Sequence, residues 1–301
     1  MSLPSLACQQ GRIAIVSGGN VGLGYESVRQ LAQAGAQVIL ACRDTNKGEQ
    51  AKACILRQQP RADISVLGLD LTRAESIERF SRRFASRFDH LDLLLNNAGV
   101  VNLPQLCRNE CGHEMHMATN HLGHFALTGR LMPQLLAAPE ARVVTVSSGG
   151  YKWGVIDFDD LNWHRRPYHR VKAYGDSKLA NLLFMDELQR RFRQLGSPAL
   201  SLAAHPGLSA TERQQSIGIG GWLSRRLATP VTQGVRPQLL AATSADLSGG
   251  QFWGPRFGIW GPPRPIALTD EVLDPAIRSR LWTLSEQLTG VQYPTTAPTA
   301  A

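Results

Sequence analysis

The sequence predicts an α/β protein built on a single doubly wound parallel sheet, with helices on both faces. Along the 301 residues, short apolar segments alternate with amphipathic segments. The apolar segments are continuous rather than alternating, as expected of strands that are covered on both sides. Short connections between the repeated strand–helix units favour parallel pairing of the strands.

Six strands are predicted from the apolar segments, and helices from most of the segments between them. The strands are expected at Ile13–Val16, Val38–Ala41, Ile64–Leu69, Leu91–Leu95, Val143–Val146 and Leu200–Ala204. The helices are expected at about Tyr25–Ala34, Lys47–Gln58, Ala74–Phe84, Gly112–Met132, Lys172–Gln194 and Asp274–Leu288. Gly35 ends the first helix, as a glycine just past a helix terminus often does.

The chain is expected to form one domain. Its parts are an N-terminal extension at 1–10, the domain itself over 11–293 and a disordered tail at 294–301. Two irregular insertions, near 149–170 and 211–229, are rich in Arg, Trp and Gly. Long irregular insertions in compact domains are commonly binding loops, so these two are predicted to shape a substrate site. Residues 249–265, rich in Gly, Pro and aromatic residues, are expected to form a further loop.

Composition excludes several classes of protein. The chain is 43% hydrophobic and 19% charged, which is ordinary for a globular protein. No stretch approaches the ~18 consecutive apolar residues of a membrane span, and Met1–Gln10 does not form a secretory signal. Five cysteines are a sparse and odd set, so no disulfide framework is expected. We therefore expect a cytoplasmic protein with no membrane span.

The net charge of +8 raises the question of an anionic partner. Nucleic acid, an anionic membrane and a phosphate-bearing ligand are all consistent with a basic chain. The basic residues occur as separated pairs, such as Arg82–Arg83 and Arg190–Arg191, rather than in one block. Several pairs lie on helix faces that are expected to be solvated, so no nucleic-acid partner is predicted.

A glycine-rich turn, Ser17–Gly24 (SGGNVGLG), lies between the first strand and the first helix. Gly18 would permit a tight turn, Gly22 the close approach of a pyrophosphate, and Gly24 close packing at the helix start. Free N–H groups and a partial positive charge at the helix N-terminus favour phosphates. A turn at this place in a doubly wound sheet predicts a Rossmann-type dinucleotide site.

The residues after the second strand indicate which dinucleotide binds. Arg43 follows the strand and Lys47 lies one helical turn later, so both could pair with the 2′-phosphate of NADP. Asp44 could instead pair with Arg43, and an acidic residue at this place typically binds the ribose hydroxyls of NAD. NADP(H) is favoured over NAD(H), and NAD remains the alternative.

The candidate catalytic groups lie at the ends of later elements. Tyr174 and Lys178 are four residues apart and share one face of a helix. A phenol with a pKa of about 10 is a poor acid–base group at neutral pH, and a nearby ammonium would favour its phenolate form. Ser148 follows the fifth strand at the carboxyl edge, where its hydroxyl could stabilise charge on a substrate oxygen.

Together these motifs resemble the short-chain dehydrogenase/reductase family, whose turn reads T-G-x-x-x-G-x-G and here has Ser17 in place of Thr. The resemblance extends from about Gly11 to Tyr293 and implies a catalytic set of Asn120, Ser148, Tyr174 and Lys178, with Asn120 helping to hold a water. It implies cofactor contacts from Ser17, Gly18, Asn20, Gly22, Leu23, Gly24, Arg43, Lys47, Asp70, Leu71, Asn97, Ala98, Gly99, Tyr174, Lys178, Pro206, Gly207 and Thr211. Of these, Asn97–Gly99 would flank the adenine ribose, Asp70 would reach the adenine, and the segment from Pro206 to Thr211 would close over the nicotinamide.

Three further segments resemble the branch that contains retinol dehydrogenases and protochlorophyllide reductases. They are Asn120–Phe125 (NHLGHF), Ser177–Asn181 (SKLAN) and Leu281–Ser285 (LWTLS), and the 26-residue step from Ser148 to Tyr174 is also long. His121 and His124 are expected to pack and form hydrogen bonds. Many animal members carry an N-terminal membrane anchor that is not expected here. The resemblance also allows a homodimer through the helices near Asn120 and Tyr174.

Two other groups of residues could indicate a metal site or a substrate pocket. Cys107, Cys111, His113 and His116 have the residue types of a zinc site but lack a C-x-x-C spacing, and the resemblance needs no metal, so none is expected. Six aromatic residues lie in or near the insertions, and those that are not buried could line an apolar pocket for a lipophilic substrate. They are Trp153, Trp163, Tyr168, Trp222, Trp253 and Trp260.

The sequence thus predicts an NADP(H)-dependent oxidoreductase that acts on a lipophilic aldehyde, ketone or alcohol, with Tyr174 as the general acid/base. Two alternatives stay open. One is an NAD-linked alcohol dehydrogenase, and the other is a redox sensor that binds NADP(H) without turnover.

Overall fold

The computed structural model describes residues 6–207 and 230–296. Its strands, in chain order, are β1 (Ile13–Ser17), β2 (Gln37–Cys42), β3 (Ile64–Gly68), β4 (Leu93–Asn96), β5 (Arg142–Val146), β6 (Leu200–Ala204), β7 (Phe252–Pro255) and β8 (Pro263–Ile266). In the described residues they form one eight-stranded sheet, in the order β3-β2-β1-β4-β5-β6-β7-β8. Pairing is parallel from β3 to β7, which confirms the predicted fold class.

The helices also follow the predicted order. They are α1 (Gly22–Gln33), α2 (Thr45–Gln58), α3 (Ala74–Ala85), α4 (Gly123–Arg130), α5 (Met132–Ala137), α6 (Arg170–Gln194), α7 (Val231–Gly234), α8 (Arg236–Thr243), α9 (Asp270–Leu273) and α10 (Pro275–Thr289). A π-helix at Met117–Leu122 precedes α4, and a 3₁₀ turn at Gly149–Trp153 follows β5. Gly35 lies just past α1 with φ of 95°, as expected of a glycine at a helix end.

Two predictions about local structure were wrong. Residues 249–265 are not simply a loop, because they contain β7 and most of β8, which pair as an antiparallel hairpin at the sheet edge. Proline is tolerated in an edge strand, and this explains how Pro263 and Pro265 fit into β8 although they made the segment look like a loop. The helix expected from Gly112 begins later, since Gly112 adopts a φ of 81° in a turn.

Apolar side chains cover both faces of the sheet. On one face, Phe80 and Phe84 of α3 join Phe125 of α4 and Phe184 of α6 in a single cluster. On the other face, α1, α2 and α8 contribute a second cluster that includes Leu31, Ile55 and Leu239. This double cover keeps the strands rigid, and their carboxyl ends hold the polar residues described below.

The C-terminal helix α10 packs against α4 and α6. Trp282 of α10 stacks on Phe184, with ring centroids 5.8 Å apart, and meets Phe125 edge-on at 4.9 Å. All three side chains are at most 3% exposed. The faces of α4 and α6 that bear Phe125 and Phe184 are therefore covered by the chain's own helix, and a dimer would have to use other surfaces. Within the part of the chain that the structure describes, no helix is long and apolar enough to span a membrane.

Candidate active site

The glycine-rich turn joins β1 to α1 with little room for side chains. Gly18 has φ of 65° and Gly22 has φ of 57°, in the left-handed region that favours glycine. A Cβ at Gly24 would overlap the carbonyl oxygen of Gly18. Val21, the N-cap of α1, gives no side-chain cap, so the first N–H groups of the helix have no side-chain acceptor there. The turn therefore has the shape and the donors that a pyrophosphate requires.

Ser17 fastens this turn to the end of β4. Its Oγ accepts hydrogen bonds from the backbone N–H groups of Asn97 and Ala98, both at 2.9 Å. The Asn97 side chain donates in return to the carbonyl oxygen of Ser17 at 2.8 Å. Ser17 is fully buried, so this contact holds two neighbouring strand ends in register.

A cleft of about 230 Å³ opens beside the turn. The predicted cofactor residues that line it are Ser17, Gly18, Asn20, Arg43, Lys47, Leu71, Ala98 and Gly99. Gly22, Leu23 and Gly24 form the adjoining start of α1. The Asp70 side chain accepts hydrogen bonds from the backbone N–H and hydroxyl of Thr72, at 3.0 and 2.7 Å, and so shapes the loop that ends β3.

Arg43 and Lys47 are the two cations of this cleft. Asp44 does not pair with Arg43; its carboxylate caps α2 by accepting from the backbone N–H of Lys47 at 3.1 Å. Among the described residues, neither Arg43 nor Lys47 forms an ion pair within the structure. Both cations therefore remain available to an anionic ligand in the cleft.

The predicted catalytic residues meet at the ends of β5 and α6. Ser148 lies two residues after β5, and its Oγ accepts from the backbone N–H of Gly150 at 3.2 Å. A Cβ at Gly150 would lie 3.2 Å from the Tyr174 ring, so the glycine lets the ring approach the turn that bears Ser148. The buried Lys178 ammonium donates to the carbonyl oxygen of Val146 at 3.0 Å and lies 5.7 Å from the centroid of the Tyr174 ring.

Asn120 lies in the π-helix, a distortion that often occurs at functional sites. Its carboxamide is held by neighbours: Oδ1 accepts from the backbone N–H of Val100 at 2.8 Å, and Nδ2 donates to Val100 O at 3.1 Å and to Ser177 Oγ at 2.9 Å. Both amide hydrogens of the side chain are thus used. What Asn120 can still offer to a water is therefore an acceptor, on its side-chain Oδ1 or on its backbone carbonyl oxygen.

The segment after β6 lies next to the catalytic group. The His205 ring donates to Gly258 O at 2.8 Å and accepts from the backbone N–H of Gly207 at 3.2 Å. Gly207 has φ of 73°, and a Cβ there would overlap the carbonyl of Ile259. Pro206 and Gly207 are thereby fixed against the β7–β8 hairpin. Thr211 lies outside the described residues.

A buried ion pair joins the irregular segment after β5 to α6. Arg166 donates to the Asp176 carboxylate at 3.0 Å, and the other oxygen of Asp176 accepts from the backbone N–H of Val155 at 2.9 Å. Arg166 also lies 3.7 Å above the Trp163 ring. Burial raises the pKa of Asp176 to about 6, although Arg166 acts in the opposite direction. Sequence reasoning missed this pair, because nothing in an irregular segment predicts which residue meets Asp176.

The aromatic residues of the predicted pocket differ in their surroundings. Trp163 is buried against Tyr168, with ring centroids 5.6 Å apart, whereas Trp153 and Trp260 are 63% and 55% exposed. Trp222 lies outside the described residues. Of the zinc candidates, Cys107 and Cys111 are exposed, and His116 donates to the buried Glu114 carboxylate at 2.7 Å. The described residues hold no cluster of three or more His, Cys, Asp or Glu arranged to bind a metal.

Comparisons with known proteins show which family the chain belongs to. A family model described as short chain dehydrogenase matches residues 12–219. Human retinol dehydrogenase 13 is 37% identical, over 97% of this chain and 88% of its own. Mouse retinol dehydrogenase 11 is 39% identical, over 80% and 77% of the two chains.

Solved structures share the fold of this chain. An uncharacterized protein from Mycobacterium paratuberculosis superposes with a TM-score of 0.80 at 41% identity, covering 96% of this chain and 97% of that one. A short chain dehydrogenase from Shigella flexneri, solved with NADP, shares the fold with a TM-score of 0.65 at 23% identity, covering 83% and 98%.

The chain therefore belongs to the short-chain dehydrogenase family. Within that family it is retinol dehydrogenase-like, and it is an NAD(P)-dependent oxidoreductase that acts on CH–OH or carbonyl groups.

Proposed function

We propose that this enzyme uses NADP(H) and transfers hydride between the nicotinamide and a lipophilic aldehyde or ketone, or the matching alcohol. The preference for NADP(H) rests on one observation, the pair of cations at the cleft. Arg43 and Lys47 line it without an internal ion pair among the described residues, and Asp44 is occupied as the cap of α2. A 2′-phosphate would supply the anion that these cations lack.

The residues present fit a dinucleotide. Gly18, Gly22 and Gly24 leave the turn open to a pyrophosphate. Asn97, Ala98 and Gly99 follow β4, where they would flank the adenine ribose. Lys178 and Tyr174 would contact the nicotinamide ribose. When bound, the reduced cofactor supplies the hydride that the carbonyl carbon accepts.

In the direction of reduction, Tyr174 would donate its phenolic proton to the carbonyl oxygen as negative charge develops there. Ser148 would donate a hydrogen bond to the same oxygen and so stabilise that charge. The ammonium of Lys178 would stabilise the phenolate left on Tyr174, and the backbone carbonyl of Asn120 would hold a water from which Tyr174 is reprotonated. The carbonyl thereby gains one hydride and one proton and becomes the alcohol.

The lipophilic character of the substrate is supported by the relatives, which are named for retinol, a lipophilic alcohol. The test is a fluorescence titration with NADPH and, separately, NADH, followed by turnover with aldehydes and ketones of graded chain length. We expect tighter binding of NADPH than of NADH and a kcat/KM that rises with apolar length. Equal affinity for the two cofactors, or a preference for small hydrophilic carbonyls, would overturn the respective part of the proposal.

A further inference from the structure

A buried histidine joins the dinucleotide turn to the π-helix. His124, the second residue of α4, is 1% exposed. Its Nε2 lies 2.8 Å from the Oγ of Ser17, and its Nδ1 lies 3.0 Å from the backbone carbonyl oxygen of Asn120. Ser17 is 107 residues away in the chain, so this is a tertiary contact between two parts of the proposed site.

The chemistry of the partners fixes where the proton of His124 lies. A carbonyl oxygen only accepts, so Nδ1 must carry the proton and donate to Asn120. Ser17 Oγ already accepts from the N–H groups of Asn97 and Ala98. Its own hydrogen has two acceptors within reach, His124 Nε2 at 2.8 Å and Leu95 O at 3.2 Å, and it is directed to the nearer one, Nε2. Burial lowers the pKa of His124 to about 4, and the charge of Lys178 acts in the same direction. The ring is therefore neutral at physiological pH.

We propose that His124 is a positioning residue for the proposed reaction. Its neutral ring, protonated on Nδ1, links Ser17 to the Asn120 carbonyl. Cofactor binding at the glycine-rich turn and alignment of Asn120 therefore depend on each other. This rests on the proposed function. The donor at Asn120 O engages the carbonyl that, in the proposed function, would hold the water of the proton relay. The acceptor at Ser17 fixes the hydroxyl that holds Asn97 and Ala98.

The chain provides a matched control in the same segment. His121 is also buried, at 2% exposure, and its Nε2 donates to Ser285 Oγ of α10 at 2.8 Å. Among the described residues, its side chain forms no hydrogen bond with Ser17 or with Asn120. Replacing either histidine by leucine removes one buried ring of the same size, but only the change at 124 cuts the link between turn and π-helix.

The experiment compares His124→Leu, His124→Gln and His121→Leu with the wild type. Each variant is assayed for thermal midpoint, for the Kd of NADPH by fluorescence, and for kcat and KM of a lipophilic aldehyde. For His124→Leu we expect NADPH to bind several-fold more weakly and kcat to fall on the order of tenfold, with KM changed less than threefold. The glutamine side chain offers both an N–H donor and a carbonyl acceptor, so His124→Gln should recover most of both losses. His121→Leu should lower the thermal midpoint while leaving Kd and kcat near wild type.

The proposal would be overturned if His124→Leu had the same Kd and kcat as the wild type. It would also be overturned if His124→Leu and His121→Leu lost cofactor affinity and kcat equally. A separate readout needs no cofactor: nitrogen-15 NMR of the histidine rings should show His124 neutral at about pH 6 with the proton on Nδ1. A proton on Nε2 would also overturn it. If the wild type binds NADPH without turning over any carbonyl, the proposed function fails, whereas the Kd values and the tautomer still decide the role of His124.

Discussion

Arg166 and Asp176 form an ion pair that attaches the irregular segment after β5 to the helix that bears Tyr174 and Lys178. The guanidinium donates to the carboxylate at 3.0 Å, and the Asp176 side chain is only 3% exposed. Asp176 lies two residues from Tyr174 and two from Lys178. The charge state of this carboxyl therefore bears on both the stability of the fold and the order of the site.

Replacing Asp176 by Asn should change how stability depends on pH. The pKa of this carboxyl is raised from 3.8 to about 6 by burial, so the folded state binds the proton more tightly than the unfolded state does. Such a group adds stability as the pH falls from about 7 toward 4, and at higher pH that stability is absent. From about pH 7.5 to about pH 4.5, the free energy of unfolding of the wild type should rise by about 2 kcal/mol relative to Asp176→Asn.

Urea unfolding at a series of pH values measures this difference. The matched control is Asp157→Asn, because Asp157 also faces Arg166, at 3.9 Å, but its side chain is 37% exposed. Because ion pairs that are open to water contribute little, Asp157→Asn should change the free energy of unfolding by less than about 1 kcal/mol. Parallel curves for wild type and Asp176→Asn would show that the carboxyl titrates alike in the folded and unfolded states.

Replacing Arg43 by Ala should weaken NADPH binding about tenfold or more and leave NADH binding within about twofold, since only NADPH has the 2′-phosphate. The control is Arg57→Ala, at the other end of α2 from the cleft, where Arg57 donates to Cys54 Sγ. Fluorescence titrations with both cofactors compare the variants. The same loss for NADH as for NADPH would mean that Arg43 does not discriminate between them.

Replacing Trp282 by Ala should lower the free energy of unfolding by about 3–5 kcal/mol, because it leaves a cavity between Phe125, Phe184 and Tyr293. Trp260→Ala removes an equally large side chain that is 55% exposed, and it should cost much less. Thermal and urea unfolding measure both. A small loss for Trp282→Ala would show that α10 does not contribute to the core of α4 and α6.

Much of the fold could be predicted because its signals are local. Continuous apolar segments such as Ile13–Ser17 and Gln37–Cys42 predict the parallel sheet, and the glycines at 18, 22 and 24 predict the turn. Strand ends that share one sheet edge then bring Ser148 and the Asn97–Gly99 segment together. The four-residue spacing of Tyr174 and Lys178 places them on one face of α6.

The features that were missed depend on tertiary contacts. In the π-helix, the side chain of Asn120 donates hydrogen bonds to Val100 O and Ser177 Oγ, and no local sequence pattern predicts this helix. The β7–β8 hairpin contains prolines that only an edge position tolerates. The contact between His124 and Ser17 joins residues 107 positions apart, and the Asp176 partner lies in a segment without periodicity. The spacing of residues along the chain does not predict such tertiary contacts.

The most direct test of the proposed function is the oxidation of NADPH by Tyr174→Phe with a lipophilic aldehyde that the wild type reduces. Loss of the phenolic proton should lower kcat by about 10²–10⁴-fold, with the Kd of NADPH within about threefold of wild type. As a control, Tyr293→Phe removes a phenol that donates to Phe125 O at 2.7 Å in the core, and it should lower stability while leaving kcat near wild type. A Tyr174→Phe variant that turns over like the wild type would contradict the role of Tyr174 as the general acid, and a wild type that binds NADPH without any turnover would favour a redox sensor.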